Sequence, residues 1–254
     1  MQTKIDDQKI YYKVSGTGPN LLLLHGWRQD QNTWNLLAPY LAEKFRVWRL
    51  DLPGFGLSDM PETAWGTPKY ADFLDKFIRA NKIRKLTIIA HSFSARPVVF
   101  LAAQKPKYLD KIVLMNASCF KPSKNLGKSL AFVTAKVGRI FFSIPGLKGQ
   151  KQKVQKKFYQ IIQNEDYLSK GQIKELFQKV IDEDLSVLMK KIKNPTLIVW
   201  GKNDKVTPVS NGKKMQKMIT KSELAIISKA EHFPYIENQS EFVKYLEKFL
   251  EKKN

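Results

Sequence analysis

The chain has 254 residues, 43% of them apolar and 26% charged, which is the composition of an ordinary globular domain. No run reaches the roughly 18 apolar residues that a membrane-spanning helix needs, and residues 1–16 lack the apolar segment of a signal peptide. A net charge of +21 raises the question of an anionic partner. The lysines are spread along the whole chain in no nucleic-acid-binding motif, so we expect a solvated basic surface and no nucleic acid.

Two further features bear on compartment and partners. Cys119 is the single cysteine, so no internal disulfide can form, and we expect a cytoplasmic protein. Residues 121–160 carry ten basic and no acidic side chains. Solvation alone explains this basic segment, and contact with an anionic membrane surface is the alternative.

Short apolar runs of strand length alternate with helical periodicity along most of the chain. Near-continuous apolar strands are typical of a parallel sheet that is covered on both faces. The runs with strand character are 9–15, 20–25, 46–51, 85–91, 111–116, 195–201 and 223–228. The helical segments between and after them are 33–44, 68–81, 93–104 and 238–251. The alternation predicts an α/β fold with a doubly wound, mostly parallel sheet.

The alternation stops between residues 118 and 193. This stretch has helical patterning throughout, over 126–144, 155–168 and 171–192. A helical insertion between two strands of one sheet is best explained as a cap over the carboxyl edge. We therefore predict a core of residues 1–117 and 194–254 and a helical cap (lid) of residues 118–193.

The sequence "AHSFSA" (90–95) ends a buried strand on a polar residue, Ser92. A very tight turn from strand to helix would lift this serine above the sheet edge, and only small residues fit two positions before and after it. Ala90 and Ser94 are small, as in the nucleophile elbow usually written G-x-S-x-G, although both glycines are missing. A plain serine N-cap is the alternative explanation of the hexapeptide alone.

A serine hydroxyl needs a base and an orienting acid to act as a nucleophile, and both types of residue follow in suitable loops. Asp204 follows the apolar strand 195–201, and His232 lies between the last strand and the final helix. The order Ser, Asp, His is that of the α/β-hydrolase architecture rather than of the two classical protease folds. We predict Ser92, Asp204 and His232 as the catalytic residues.

The oxyanion hole is expected from two backbone N–H groups. Phe93 opens the helix after Ser92, and Trp27 follows the strand "LLLLH" and Gly26, which allows a sharp turn. We expect His25 and His91 to hold loops by hydrogen bonds. The three histidines have neither zinc-motif spacing nor a supporting Cys, Asp or Glu cluster, so we expect no metal and no other cofactor.

Taken together, these pieces resemble the α/β-hydrolase fold family, and specifically its small capped serine hydrolases. The resemblance covers nearly the whole chain and is carried by five motifs: "HGW" (25–27), "DLPGFGLSD" (51–59), "AHSFSA" (90–95), "WGKNDKVTP" (200–208) and "EHFPYIENQSEF" (231–242). It implies Ser92 as nucleophile, Asp204 as acid and His232 as base. Some relatives place the acid one strand earlier, where this chain has Asn116.

The resemblance implies a carboxylesterase-like hydrolase that acts on a small-molecule ester or similar carbonyl substrate through an acyl-enzyme. Hydrolysis of a carbon–carbon bond in a vinylogous diketone, or of a lactone, would use the same residues. A non-catalytic binding module would lack a member of the triad, and none is missing here.

The first helix of the cap suggests how an apolar acyl group could be selected. Its apolar residues, among them Val137 and Phe141, recur at spacings of three and four, and the basic residues lie largely off that face. This face either packs on the core or roofs the pocket above Ser92. Together with Trp27 and Phe93, Val137 and Phe141 are our candidate substrate-binding residues.

Overall fold

Eight strands form one sheet in residues 1–121 and 171–252, the part of the chain that the computed structural model describes. The strands are β1 Gln2–Ile5, β2 Gln8–Ser15, β3 Asn20–Leu24, β4 Arg46–Leu50, β5 Leu86–His91, β6 Leu109–Met115, β7 Thr196–Gly201 and β8 Ser222–Ile227. Their order across the sheet is β1-β2-β4-β3-β5-β6-β7-β8. All pairs from β4 to β8 are parallel, and β1 and β2 pair antiparallel. The predicted α/β fold with a mostly parallel sheet is confirmed.

Helices cover both faces of this sheet. They are α1 Ala38–Ala42, α2 Thr67–Ala80, α3 Ala95–Ala103, α4 Gly171–Ile181, α5 Ser186–Met189, α6 Val209–Met218, α7 Pro234–Glu237 and α8 Gln239–Glu251. Alternate residues of β3 show the two layers. Leu22 and Leu24 pack in the cluster formed with α2, α3 and α5, whereas Leu21 and Leu23 pack in the cluster formed with α1 and α8. A strand buried on both faces must be apolar at every position, as β3 is.

Besides the helices α6 and α7, which were not predicted, three elements differ from the sequence-based prediction. The hairpin strand β1 was not predicted, although Asp6 and Asp7 form its turn with φ of 48° and 64°, which aspartate tolerates. The predicted helix 33–44 is a 3₁₀ turn, Gln31–Trp34, followed by the short α1. Pro39 explains the break, because within a continuous helix it would lack an N–H and clash with the preceding turn.

The third difference lies in the predicted cap. The helix expected over 171–192 consists of α4 and α5, and the Asp184 carboxylate between them accepts from the backbone N–H of Ser186 at 2.9 Å. The predicted helices 126–144 and 155–168 lie outside the described residues. The division into core and cap therefore remains a prediction.

The parallel strands bring the predicted functional residues to one edge of the sheet. Strands β5, β6, β7 and β8 run in the same direction, so the loops that follow them meet at their carboxyl ends. Ser92, Asn116, Asp204 and His232 lie in these four loops. Residues far apart in sequence are thereby placed within reach of one another.

Candidate active site

Ser92 lies in a strained turn between β5 and α3. Its φ is +54°, in the left-handed region that non-glycine residues rarely adopt. Ala90 is buried between β3 and β6, and a single 3₁₀ turn over Ser92–Ser94 leads into the helix. The predicted sharp turn with small flanking residues is therefore present in the structure.

Ser94 does more in this turn than provide a small side chain. Its hydroxyl accepts from the backbone N–H of His91 at 3.1 Å and lies 2.9 Å from the carbonyl oxygen of Leu24, to which it donates. The hydroxyl thus connects the turn to the end of β3. A glycine at this position could not make either contact.

A continuous hydrogen-bond chain joins the three predicted catalytic side chains. The Ser92 hydroxyl donates to Nε2 of His232 at 3.0 Å, and Nδ1 of His232 donates to Oδ2 of Asp204 at 2.9 Å. All three residues are buried to more than nine tenths. This arrangement can remove the proton from the serine as it attacks a carbonyl carbon, and can hold the resulting imidazolium beside a carboxylate.

The surroundings of Asp204 keep it ionised. Its Oδ1 accepts from the backbone N–H groups of Val206 and Thr207, and its Oδ2 accepts from the Thr207 hydroxyl and the Asn116 amide. Burial acts to raise the pKa of Asp204, but the neighbouring His232 and these donors outweigh it and hold the pKa below its ordinary value. A carboxylate is therefore available to orient His232.

Three side chains fix the loop that carries His232. His91 donates from Nε2 to the backbone carbonyl of His232 at 2.8 Å, and the Asn116 amide donates to the carbonyl of Glu231 at 3.1 Å. Oε2 of Glu237 accepts from the N–H groups of Glu231 and Phe233, one on each side of the histidine. The backbone on both sides of His232 is therefore fixed, and the position of the imidazole is fixed with it.

The early loop expected to supply the second oxyanion donor is held just as closely. His25 donates from Nδ1 to the carbonyl of Gly26 at 2.8 Å and accepts at Nε2 from the N–H of Leu52 at 3.1 Å. A Cβ on Gly26 would lie 2.9 Å from Gln29 and His91, so glycine is needed here for close approach. Within the described residues, no acceptor takes the backbone N–H of Trp27.

Four aromatic rings pack against one another beside this loop. The Trp27 ring lies 5.1 Å from the rings of Phe55 and Phe93 and 4.9 Å from Phe177 on α4. Phe55 and Phe93 are buried, whereas Trp27 and Phe177 are partly exposed. The sequence analysis missed Phe177, since nothing in the pattern of α4 shows which ring meets Trp27.

Comparison with known proteins decides the family. The model of the α/β-hydrolase fold family matches residues 19–143 and 125–239. The chain belongs to the α/β-hydrolase fold family. This finding confirms the resemblance given by the sequence motifs, and it identifies the protein as a hydrolase by family.

Individual relatives of this α/β hydrolase are distant. An uncharacterized protein of Mycobacterium tuberculosis is 25% identical over 94% of this chain and 77% of its own length. The pimeloyl-[acyl-carrier protein] methyl ester esterase of Nitrosomonas europaea is 21% identical over 92% of this chain and 96% of its own. The crystal structure of a bacterial membrane phospholipase A has a TM-score of 0.84 at 24% identity, covering 98% of this chain and 84% of that one. At such identity the structural likeness shows the fold alone.

Asn116 occupies the position at which some α/β hydrolases carry the acid. Here it donates to Asp204 rather than replacing it, and none of the described residues donates to its own buried Oδ1. In this structure His232 thus contacts the carboxylate of Asp204, and the Asn116 amide contacts that carboxylate. The amide cannot stabilise an imidazolium as a charged group does.

The other predictions concern the cap, metal ligands and membrane contact. Val137 and Phe141, the basic residues 122–160 and the face that would roof Ser92 lie outside the described residues. In residues 1–121 and 171–252, no three His, Cys, Asp or Glu side chains are grouped as metal ligands would be. Across the same residues, no helix has the length and apolar character to cross a membrane.

Proposed function

We propose that this α/β hydrolase cleaves a carboxylic ester through an acyl-enzyme on Ser92. The observation that carries the proposal is the aligned contact pair: Ser92 Oγ to His232 Nε2 at 3.0 Å and His232 Nδ1 to Asp204 Oδ2 at 2.9 Å. No cofactor enters this chemistry, because nucleophile, base and acid are all side chains.

Acylation begins when Ser92 Oγ attacks the ester carbonyl carbon and passes its proton to Nε2 of His232. The carbonyl oxygen becomes an oxyanion, for which we assign the backbone N–H groups of Trp27 and Phe93 as donors. The Phe93 N–H stands at the beginning of a helical turn, where N–H groups have no intrahelical acceptor. Collapse of the tetrahedral intermediate expels the alcohol, which takes the proton from His232.

Deacylation repeats these steps with water. His232 removes a proton from a water molecule, which attacks the acyl carbon, and returns that proton to Ser92 Oγ as the acid leaves. Asp204 stays ionised throughout, in keeping with its lowered pKa. Its function is to select the His232 tautomer with a proton on Nδ1 and to stabilise the imidazolium.

The substrate is expected to have an apolar acyl part. The partly exposed faces of Trp27 and Phe177 form an apolar wall beside the proposed oxyanion hole. Relatives support an ester bond as the target, since the methyl ester esterase of Nitrosomonas europaea matches nearly the whole chain. We also propose a cytoplasmic location and a cap of residues 118–193 that contributes Val137 and Phe141 to binding of the acyl group.

A substrate panel with two forms of the protein tests the function. We expect wild-type protein to hydrolyse nitrophenyl esters from acetate to decanoate, and Ser92→Ala to lose at least about 10³-fold in kcat while keeping its thermal transition. A fluorophosphonate should label Ser92 alone. A thioester, a lactone and a vinylogous diketone complete the panel. Preferred turnover of the lactone or the diketone would replace the ester assignment, and binding without turnover would identify a binding module.

A further inference from the structure

Arg96 places a guanidinium in the interior of the protein, where the proposed mechanism gives it no role. It lies on α3, four residues after Ser92, and its side chain is 1% exposed. Burial lowers the pKa of Arg96, yet an arginine stays charged at physiological pH. A buried charge persists only where its donors are satisfied, so its partners are informative.

The guanidinium binds two backbone carbonyls that both lie in the connection between β6 and β7, far apart in sequence. Nη1 donates to the backbone carbonyl of Ser118 at 2.5 Å, and Nη2 donates to that of Glu183 at 2.6 Å. Ser118 follows β6, where the chain leaves the sheet, and Glu183 precedes β7, where it returns. Residues 118 and 183 are thus joined through a single side chain on α3.

Further contacts hold the same two ends together. The Leu185 N–H donates to the carbonyl of Cys119 at 3.1 Å. Glu183 places Oε2 3.8 Å from the guanidinium, and its Oε1 accepts from the N–H of Thr67, the first residue of α2. A Cβ on Gly66 would lie 2.8 Å from this Oε1, so glycine leaves room for the carboxylate.

Each end also reaches the candidate active site. The backbone N–H of Ser118 donates to the carbonyl of Ser92 at 3.1 Å. Glu183 follows two residues after α4, which carries Phe177 against Trp27. A shift of either segment would therefore displace the nucleophile turn or the aromatic wall.

We propose that Arg96 is a positioning residue that fixes the Phe177 wall relative to Ser92, by holding residues 118–119 and 183–185 against α3. The inference rests on the proposed function. Arginine suits this task because its planar guanidinium presents parallel donors to two carbonyls at once, whereas a lysine ammonium is a single point charge on a flexible chain. Loss of the guanidinium should reduce selectivity for a long acyl group at the Phe177 wall more than it reduces the rate of the reaction at Ser92.

Kinetics of four variants on two esters test this proposal. The variants are Arg96→Met, Arg96→Lys, Phe177→Ala and the double variant Arg96→Met/Phe177→Ala. We expect each single change to raise KM for nitrophenyl decanoate and lower its kcat/KM by about tenfold, and to affect nitrophenyl acetate by less than about threefold. The double variant should lose no more decanoate selectivity than the worse single variant, because both changes disrupt one wall. Arg84→Met, at an exposed arginine, should match wild type.

Several results would overturn the proposal. Additive losses of selectivity in the double variant, equal losses for both esters, or full function in Arg96→Lys would each show that Arg96 does not act through the Phe177 wall. If Arg96→Met fails to fold, the cycle is run with Arg96→Lys; loss of the thermal transition in both variants would assign Arg96 to stability alone. Wild-type protein that neither turns over esters nor reacts with a fluorophosphonate would contradict the proposed function instead.

Discussion

Asn116, at the end of β6, donates its side-chain amide to Oδ2 of Asp204, at the end of β7. The same oxygen accepts from His232, so the two donors share one acceptor atom. Asn116 also donates to the carbonyl of Glu231, next to the histidine. The amide therefore fixes both Asp204 and the loop that carries His232, and two predictions about Asp204 follow from this geometry.

Asp204→Asn should lower kcat by about 10⁴-fold without unfolding the protein, since an amide cannot stabilise the imidazolium and favours the wrong tautomer of His232. Asp59→Asn is the matched control, because Asp59 accepts from the backbone N–H of Lys9 on the opposite margin of the sheet. Steady-state kinetics on nitrophenyl butyrate with folded protein measure the difference. Near-normal kcat in Asp204→Asn would show that another carboxylate serves His232.

Asn116→Asp should shift the acid limb of the pH–rate profile to higher pH. The new carboxylate would lie beside Asp204, and two adjacent carboxylates cannot both ionise easily, so the apparent pKa of the pair is raised. One proton on the pair leaves a single negative charge shared by two carboxylates, which supports His232 less well than ionised Asp204 alone does, so activity is lost at higher pH than in wild type. Profiles of kcat/KM between pH 4 and 9 for both proteins test this, with Asn116→Ala as the neutral control. An unshifted acid limb would contradict the shared-acceptor geometry.

The three side chains of the candidate site could be predicted from the sequence because each has a recognisable local sequence pattern. Ser92, Asp204 and His232 each follow an apolar strand, and parallel strands end at a common edge. What sequence patterns could not show are contacts between remote segments. Phe177 meets Trp27, and Arg96 meets Glu183, which is 87 residues away, with no periodic signal in either member of the pair. The turn of β1 offered a weak signal in two consecutive aspartates, but a four-residue strand has too short a pattern to detect.

The two small residues of the serine turn should respond differently to glycine. Ser94→Gly removes the acceptor of the buried His91 N–H and the donor to Leu24, so we expect the free energy of unfolding to fall by about 1–3 kcal/mol. Ala90→Gly loses no hydrogen bond and should cost about 1 kcal/mol or less through unfolded-state entropy. Urea unfolding of both variants gives the two values. An equal cost would mean that the Ser94 hydroxyl contributes nothing to the turn.

His91 should make the protein less stable as pH falls below neutrality. Burial, with a further contribution from the neighbouring His232, lowers the pKa of His91 to about 3, against 6.5 for a free histidine. Below pH 6.5 the unfolded chain therefore binds a proton that the folded protein excludes, and stability declines until the pH reaches the folded pKa. Between pH 7.5 and 4.5 this single group should cost on the order of 3 kcal/mol.

His91→Gln isolates the contribution of His91, because glutamine can still donate to the carbonyl of His232 but does not titrate. We expect the variant to unfold more readily than wild type at pH 7.5, through imperfect packing, yet to lose less stability on acidification. His25, which is also buried with a lowered pKa, is unchanged in both proteins and so cancels from the comparison. Urea unfolding at pH 4.5 and 7.5 gives the four free energies. Parallel losses of stability in the two proteins would mean that His91 is protonated in the folded state.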